Sequence, residues 1–227
     1  MLLKKYKITI IILLLTTIFS IQTINANNLP LLGMIITVDP GHGGRDPGTS
    51  YYNLKEKDIN LEISKSLEKQ LTKKGAIVYM IREKDVDLSS IYDPKKKRGD
   101  LYRRIRNIEK NKSDLYLSIH LNWYKNENYR GAEILYNNIN EKNKILANSI
   151  MNQFKKTIGT NRKIKTTNLY LYRNTKTPGV LIECAFLSNY KDRQLIKSKQ
   201  GQDQIAKTIT NGVINYAKDK NKSKFIL

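Results

Sequence analysis

Apolar residues follow two patterns along the chain: short β-branched runs, and longer stretches with an apolar residue at every third or fourth position. The run at residues 34–38 (MIITV) predicts a buried strand. Four apolar residues then recur at helical spacing: Ile59, Ile63, Leu67 and Leu71. They predict an amphipathic helix that begins near Glu56 and ends before Gly75. A second apolar run at residues 76–81 completes a βαβ unit, which favours a parallel sheet.

The rest of the chain continues this alternation and leads to a fold class. Further strands are predicted at residues 115–122, 131–136, 169–172 and 180–184, and further helices from Asp100, at 139–158 and at 202–217. Residues 51–54 and the polar stretch 82–99 are expected to be loops. Three arginines of the Asp100 helix are expected on solvated faces: Arg103, Arg104 and Arg106. Together these elements predict an α/β fold, a single three-layer domain with a twisted, mostly parallel sheet of about six strands and helices on both faces.

The N-terminal residues have the pattern of a targeting segment. A basic start precedes a mainly apolar stretch at residues 8–21, which is shorter than the about 20 residues of a membrane span. Ala26 offers a cleavage site, although Ile24 is not the small residue expected two positions earlier. Residues 1–26 are therefore interpreted as a cleaved signal peptide, with an uncleaved membrane anchor as the alternative. Both interpretations place the domain that follows, residues 34–218, outside the cytoplasm.

Composition adds a strong positive charge and a single thiol. The chain has 41 lysines and arginines against 20 acidic residues, a formal net charge of +21. This charge favours a polyanionic partner; export argues against nucleic acid and leaves an anionic cell wall or an acidic membrane surface. The alternative is a lysine-rich composition spread over a solvated surface with no partner. Because Cys184 is the one cysteine of the sequence, no intramolecular disulfide can form, and the core alone must stabilise the domain.

The two histidines of the chain both lie at the ends of predicted buried strands. His42 belongs to the sequence DPGHGG at residues 39–44, where proline and glycines allow a sharp bend and the close approach of a partner. His120 lies near the end of the strand at residues 115–122. Because the carboxyl ends of parallel strands share one edge of a sheet, the two imidazoles should converge there, which suggests a metal site. Two unrelated core histidines are the alternative.

Two glutamates are candidates to complete such a site. Catalytic zinc sites combine three protein ligands with an open position for water, and two histidines with one glutamate is an established set. Glu56 follows His42 by 14 residues and is the natural third ligand, although its position alone favours a role in complementing the helix dipole. Glu183 lies in a strongly apolar strand, where burying a carboxylate is costly unless it is paired or functional.

Four motifs in a fixed order carry a family resemblance. They are DPGHGG at residues 39–44, Glu56, SIHLN at residues 118–122 and IECAFLSN at residues 182–189. With this order and spacing, the chain resembles the zinc-dependent N-acetylmuramoyl-L-alanine amidases of the Amidase_3 family. The resemblance extends over roughly residues 34–217.

The resemblance implies an activity and a role for each matching residue. By their positions in the motifs, His42, Glu56 and His120 would bind one zinc ion per chain, and Glu183 would be the catalytic carboxylate. The implied reaction is hydrolysis, by zinc-activated water, of the amide bond between N-acetylmuramic acid and L-alanine in peptidoglycan. Zinc is the only cofactor that the resemblance implies.

Further segments are similar to the spore-cortex members of this family. They are the basic loop leading into residues 100–104, the segment LYLYRN at 169–174 and the segment TPGVLIE at 177–183. This similarity implies a role in spore cortex maturation, a location in the forespore intermembrane space or the cortex, and an exported lipoprotein partner. A general amidase of the vegetative cell wall is the alternative within the family.

Two other functions are alternatives outside the family. A cysteine hydrolase would use Cys184 as the nucleophile and His120 as the base. Because Cys184 follows Glu183 on a strand, their side chains should point to opposite faces, which argues against a shared cleft. A cell-wall-binding module without chemistry would depend on the basic surface alone, and it would need no metal.

Overall fold

A six-stranded sheet lies at the centre of the computed structural model, which describes residues 28–224. Its strands are β1 (Ile35–Pro40), β4 (Ile77–Met80), β5 (Leu115–Asn122), β6 (Glu133–Tyr136), β7 (Ile164–Thr166) and β8 (Gly179–Phe186). Their order is β4-β1-β5-β8-β6-β7, with parallel neighbours except for the antiparallel pair β8 and β6. A separate hairpin consists of β2 (Ser50–Tyr51) and β3 (Leu54–Lys55). The targeting segment predicted at residues 1–26 lies outside the described residues.

Helices cover both faces of this sheet. They are α1 (Glu56–Lys73), α2 (Lys96–Lys110), α3 (Glu141–Thr157), α4 (Tyr170–Arg173), α5 (Tyr190–Lys197) and α6 (Lys199–Lys224). On one face α1, α3 and α6 pack together over the larger apolar cluster, while α2 and α4 close a smaller cluster on the other face. The expected three-layer α/β domain is confirmed. Within residues 28–224, none of the helices combines the length and the apolar character that crossing a membrane requires.

The central strands β5 and β8 sort their side chains between the two layers. Leu117 and Val180 belong to the larger cluster beneath α1 and α6, whereas Tyr116 belongs to the smaller one beneath α2. Successive side chains of a strand point to opposite faces, so residues two apart share a face. His120 and Glu183 therefore lie on the α2 side of the sheet, and both are only partly buried there because they lie near the open strand ends.

The strand predicted at residues 169–172 is wrong, because most of this segment forms the one-turn helix α4. The alternation Leu-Tyr-Leu-Tyr suggested a period of two. Leu171 and Tyr172 are instead both buried, and Tyr172 stacks on Tyr116 with 5.9 Å between ring centroids. Packing against the smaller cluster has overridden the local pattern. The sixth strand is instead β7, which is too short and too polar to be recognised from the sequence.

Other boundaries differ in ways that matter for the site. Residues 51–54 were expected to form a loop, but they belong to the β2–β3 hairpin immediately before α1. Helix α2 begins at Lys96, inside the stretch expected to be a loop, so Asp100 lies in its second turn rather than at its start. Helix α5 was not predicted, and α6 extends beyond the predicted residues 202–217 at both ends.

Candidate metal centre

His42 lies in a sharply bent loop that follows β1. Its backbone has a φ of 60°, and Gly43 and Gly44 continue with φ values of 135° and 56°. A positive φ is unfavourable for histidine, so the surroundings must stabilise it. The buried guanidinium of Arg104 provides one such contact, because Nη2 donates to the carbonyl oxygen of His42 at 2.7 Å. The loop thus holds its histidine in one backbone conformation.

Glu56 lies between the two histidines. Its Oε1 is 3.2 Å from His42 Nε2 and 3.0 Å from His120 Nδ1, and the two imidazole centroids are 4.9 Å apart. One candidate ligand atom from each residue lies within 4.8 Å of the other two. The structure therefore brings together the three residues that the sequence indicated. Two imidazoles and one carboxylate are a donor set that fits zinc.

Hydrogen bonds outside this group orient its members. Asp46 Oδ2 lies 2.9 Å from His42 Nδ1, which leaves the other ring nitrogen of His42 facing Glu56. The second carboxylate oxygen of Glu56 accepts a hydrogen bond from the backbone N–H of Thr49 at 2.8 Å. Burial acts to raise the pKa of Glu56, but hydrogen bonds and charges of His120 and His42 outweigh it and lower that pKa. Glu56 is therefore an anion at neutral pH.

Two glycines allow the close approach of these side chains. A methyl group at Gly41 would overlap the imidazole of His120, and one at Gly48 would overlap the side chains of Glu56 and His42. Gly48 also has a φ of 64°, which strains any other residue. The group of candidate ligands could not form this closely with alanine at either position.

Glu183 lies next to the candidate ligands in the sheet. On β8 it is in register with His120 of β5 on one side and with Glu133 of β6 on the other. Its Oε2 atom is buried and has no hydrogen-bond partner within the described part of the chain. Burial is the main cause that raises the pKa of Glu183 to about 8, and the negative charges of Glu56 and Glu133 add to the effect. Such a carboxyl group can take up and release a proton near neutral pH.

One cavity of about 410 Å³ is lined by all four residues and also by Lys97 and Trp123. The cavity is large enough for a substrate group. Cys184 does not line it, because its side chain is fully buried in the larger apolar cluster on the opposite face of the sheet. Burial raises the pKa of the Cys184 thiol well above its usual range, so the thiol is not a nucleophile for this cavity.

Several residues of the site were not found from the sequence. Arg104, expected on a solvated face, is buried and pairs with Asp39 and Asp100 while it donates to two carbonyl oxygens of the His42 loop. Arg82 donates to the carbonyl oxygens of Pro40, Gly41 and Lys57. Arg103, Arg104 and Arg106 follow one another too closely for their spacing to show which of them is buried. Asp39 is the one feature of the sequence that points to a buried cation, because a carboxylate in an apolar strand requires a partner of opposite charge.

Comparison with known proteins places this geometry in a family. Residues 36–215 match the family model Amidase_3, described as N-acetylmuramoyl-L-alanine amidase. The match spans all six strands of the sheet, from β1 to β8.

Two curated relatives and one solved structure are similar over most of the chain. The germination-specific N-acetylmuramoyl-L-alanine amidase of Bacillus subtilis is 36% identical over 198 residues, which are 85% of this chain and 84% of that protein. The N-acetylmuramoyl-L-alanine amidase LytC of the same organism is 32% identical over 87% of this chain but only 38% of its own length. The CwlD amidase of Clostridioides difficile, solved in complex with the GerS lipoprotein, has a TM-score of 0.78 and 33% identity, covering 82% of this chain and 99% of that chain.

Proposed function

The chain belongs to the Amidase_3 family of N-acetylmuramoyl-L-alanine amidases, and on that premise we propose that it is a zinc-dependent hydrolase of peptidoglycan. It cleaves the amide bond between N-acetylmuramic acid and L-alanine. The observation that carries the zinc dependence is the group formed by His42, Glu56 and His120, whose candidate ligand atoms lie within 4.8 Å of one another beside the partly buried Glu183.

The residues present suit a zinc ion. His42 would use Nε2, because its Nδ1 faces Asp46, and His120 would use Nδ1, the ring nitrogen that faces Glu56. A carboxylate partner such as Asp46 is typical of zinc-bound imidazoles, where it fixes the ring orientation. The anionic state of Glu56 suits a ligand, and its place between the two rings suits one shared ion. This leaves Glu183 outside the ligand set.

Glu183 acts on protons rather than on the metal. Zinc, when bound, supplies a Lewis acid that lowers the pKa of coordinated water to about 7. Glu183 accepts the proton of the attacking water and then donates it to the departing amine of L-alanine. Its unpartnered Oε2 and a pKa raised to about 8 suit both steps, because the same carboxyl must change protonation state twice in each turnover.

The biological setting follows from the relatives. Similarity to the germination-specific amidase over 84% of that protein and to the CwlD amidase over 99% of that chain supports action on the spore cortex. The substrate lies outside the cytoplasm, and residues 1–26 direct the chain there as a signal peptide or an anchor. The GerS lipoprotein in the CwlD complex supports an exported lipoprotein as the partner of this chain as well.

Metal removal tests the reaction. Purified protein should contain about one zinc per chain, lose turnover of muramoyl-peptide fragments in the presence of a chelator, and regain it when zinc is added back. Full activity of metal-free protein would exclude the zinc mechanism. Binding of wall fragments without hydrolysis, with or without zinc, would instead support the wall-binding module.

Substrate choice tests the setting. Turnover should be compared on cortex peptidoglycan and on vegetative wall peptidoglycan, with and without the candidate lipoprotein. Preference for cortex material supports the spore role. Equal turnover of both substrates would favour a general cell-wall amidase.

A further inference from the structure

Three aromatic side chains form a rim on one flank of the metal-centre cavity. We call Tyr51, Tyr52 and Trp123 the aromatic rim. Trp123 follows the end of β5 and lines the cavity itself, with 43% of its surface exposed. Its ring centroid is 6.5 Å from that of Tyr51, and the rings of Tyr51 and Tyr52 meet edge to face at 4.7 Å. The rim is thus a continuous apolar surface that begins at the candidate metal centre.

Polar contacts beneath the aromatic rim fix its position. The guanidinium of Arg193 lies 5.1 Å from the Tyr51 centroid and 4.8 Å from the Tyr52 centroid. Arg193 is itself anchored, because Nη1 donates to the carbonyl oxygens of Leu187 and Ser188 at 2.8 and 2.6 Å. The hydroxyl of Tyr51 donates to the carboxylate of Glu127. An exposed surface with this much support is preorganised for a ligand.

Tyr52 is exposed at a conformational cost. With the pairs Ser50–Lys55 and Tyr51–Leu54, the hairpin has a two-residue turn in which Tyr52 and Asn53 have φ values of 45° and 59°. Such turns favour asparagine or glycine at both positions, and the positive φ is unfavourable for a bulky residue. The tyrosine nevertheless has 70% of its surface exposed, so its own burial does not offset this cost. Strain of this kind concentrates at functional positions.

A second cavity adjoins the metal-centre cavity and has a different chemistry. Its volume is about 290 Å³, and its lining shares His42, Asp46 and Lys97 with the metal-centre cavity. Its other charged side chains include Arg45, which pairs with Asp87 at 3.0 Å. Lys97 lines both cavities, and its positive charge helps to lower the pKa of the neighbouring Asp46. A substrate bound at the metal centre therefore meets both the aromatic ring of Trp123 and the positive charge of Lys97.

The substrate carries a group that matches each of these two features. On the family's substrate, the scissile amide joins a muramic acid residue of the glycan to a peptide that carries free carboxylates. Pyranose rings present C–H faces that pack against the electron-rich faces of aromatic rings, whereas carboxylates form ion pairs with lysine and arginine. We propose that the aromatic rim is a glycan subsite, which binds the N-acetylated sugars next to the scissile bond and directs the peptide toward Lys97. This inference rests on the proposed amidase function.

Substrates of different glycan length test the aromatic rim. Two substrates carry the same peptide, one on a single muramic acid and one on a tetrasaccharide. Wild-type protein should have a higher kcat/KM for the tetrasaccharide. Trp123→Ala and Tyr52→Asn should each lower the tetrasaccharide-to-monosaccharide ratio by about three- to tenfold. Asparagine suits the positive φ at position 52, so that variant keeps the hairpin.

A control and a binding measurement complete the design. Tyr79 on the edge strand β4 is also 43% exposed but lines neither cavity, so Tyr79→Ala should leave the ratio unchanged. A peptide-free tetrasaccharide should bind zinc-loaded wild-type protein and bind Trp123→Ala at least about threefold more weakly.

Each contrary outcome has a distinct meaning. If wild-type protein cleaves both substrates equally well, or the rim variants keep the ratio, the glycan subsite is excluded while the amidase function stands. If the variants change the dependence on peptide length instead, or lose only lipoprotein binding, the aromatic rim has another ligand. If neither substrate is cleaved by zinc-loaded wild-type protein, the proposed function itself fails.

Discussion

Two glutamates share one cavity, and their surroundings give them opposite acidities. The imidazoles of His42 and His120 overcome burial and lower the pKa of Glu56, whereas burial together with the charges of Glu56 and Glu133 raises the pKa of Glu183 to about 8. The residue type is the same, so neighbouring charge and solvation decide which carboxylate is a permanent anion and which exchanges protons.

Matched glutamine variants separate the two roles. Glu183→Gln should retain zinc close to the wild-type level and lose turnover by about 10² to 10⁴, because an amide cannot accept the proton. Glu56→Gln should bind zinc weakly and regain part of its activity in excess metal, and His120→Ala should lose both metal and activity. Metal content and turnover are measured on the same preparations. If Glu183→Gln is instead zinc-poor and Glu56→Gln keeps its zinc but is inactive, Glu183 is the ligand and Glu56 is the proton acceptor.

Glu183 should also make the stability of metal-free protein depend on pH. Its folded pKa of about 8 is above the ordinary value of 4.5. Below pH 4.5 the carboxyl is protonated in both the folded and the unfolded state, so it costs nothing. As pH rises toward 8 the unfolded state ionises first, and the folded state loses stability.

Glu183→Gln removes this pH-dependent loss. With zinc chelated, the variant should have nearly the wild-type Tm at pH 4.5 and exceed it by at least several degrees at pH 8.5. Thermal unfolding of both proteins across this range measures the difference. A Tm difference that does not change with pH would show that Glu183 is not buried as a charge in the metal-free fold.

At the scale of elements, α2 holds the His42 loop in place through one side chain. Arg104 reaches from α2 to the end of β1, where it pairs with Asp39 and donates to the carbonyl oxygens of Pro40 and His42. Asp39 also accepts a hydrogen bond from Ser118 on β5 at 2.8 Å. One buried ionic network therefore connects α2, β1 and β5 directly beneath the candidate metal centre.

Removing the cation should cost both stability and metal affinity. Arg104→Gln leaves Asp39 buried without its partner and should lower the free energy of unfolding by about 3–5 kcal/mol. Zinc should bind more weakly, because the carbonyl oxygen of His42 loses a donor that holds its positive φ. Denaturant unfolding and zinc titration measure the two effects.

The neighbouring arginine is the matched control. Arg103 pairs with Asp93 near the surface, with 37% of its side chain exposed, so Arg103→Gln should cost less than about 1 kcal/mol and leave zinc affinity unchanged. Asp39→Asn combined with Arg104→Gln should cost less than the two single changes together, because the pair is removed as a unit. Additive losses would mean that the two side chains are not coupled.

The elements that the sequence predicted well are those with a long periodic pattern or a dense apolar run. Helix α1 and strands β1, β5 and β8 belong to this group, and they position all four candidate site residues. Helix α4 was mistaken for a strand because four residues cannot distinguish a period of two from one turn of helix. Tertiary contacts, here with Tyr116, decided its conformation.

For the whole molecule, sequence order and topology were sufficient to bring the candidate ligands together. His42 and His120 were found because both lie at carboxyl ends of neighbouring parallel strands. The aromatic rim and the buried role of Arg104 could not be found this way. Both depend on contacts between segments tens of residues apart, such as Arg193 with Tyr52 or Arg104 with Asp39, for which the sequence has no periodic signal.

The net charge of +21 acts at the scale of the whole molecule, and salt should reveal whether it serves binding. An intact wall is a polyanion, so its attraction is long-ranged and screened, with a Debye length of about 10 Å at 0.1 M salt. Wall binding should weaken at least about tenfold between roughly 0.05 and 0.5 M salt, while turnover of a small muramoyl-peptide should change far less. Lys142→Glu with Lys144→Glu, both exposed on α3 and outside the cavity, should reduce the salt dependence of wall binding but not fragment turnover. Salt-independent wall binding would mean that the lysines only solvate the surface, and that recognition rests on the cavity and its flanks.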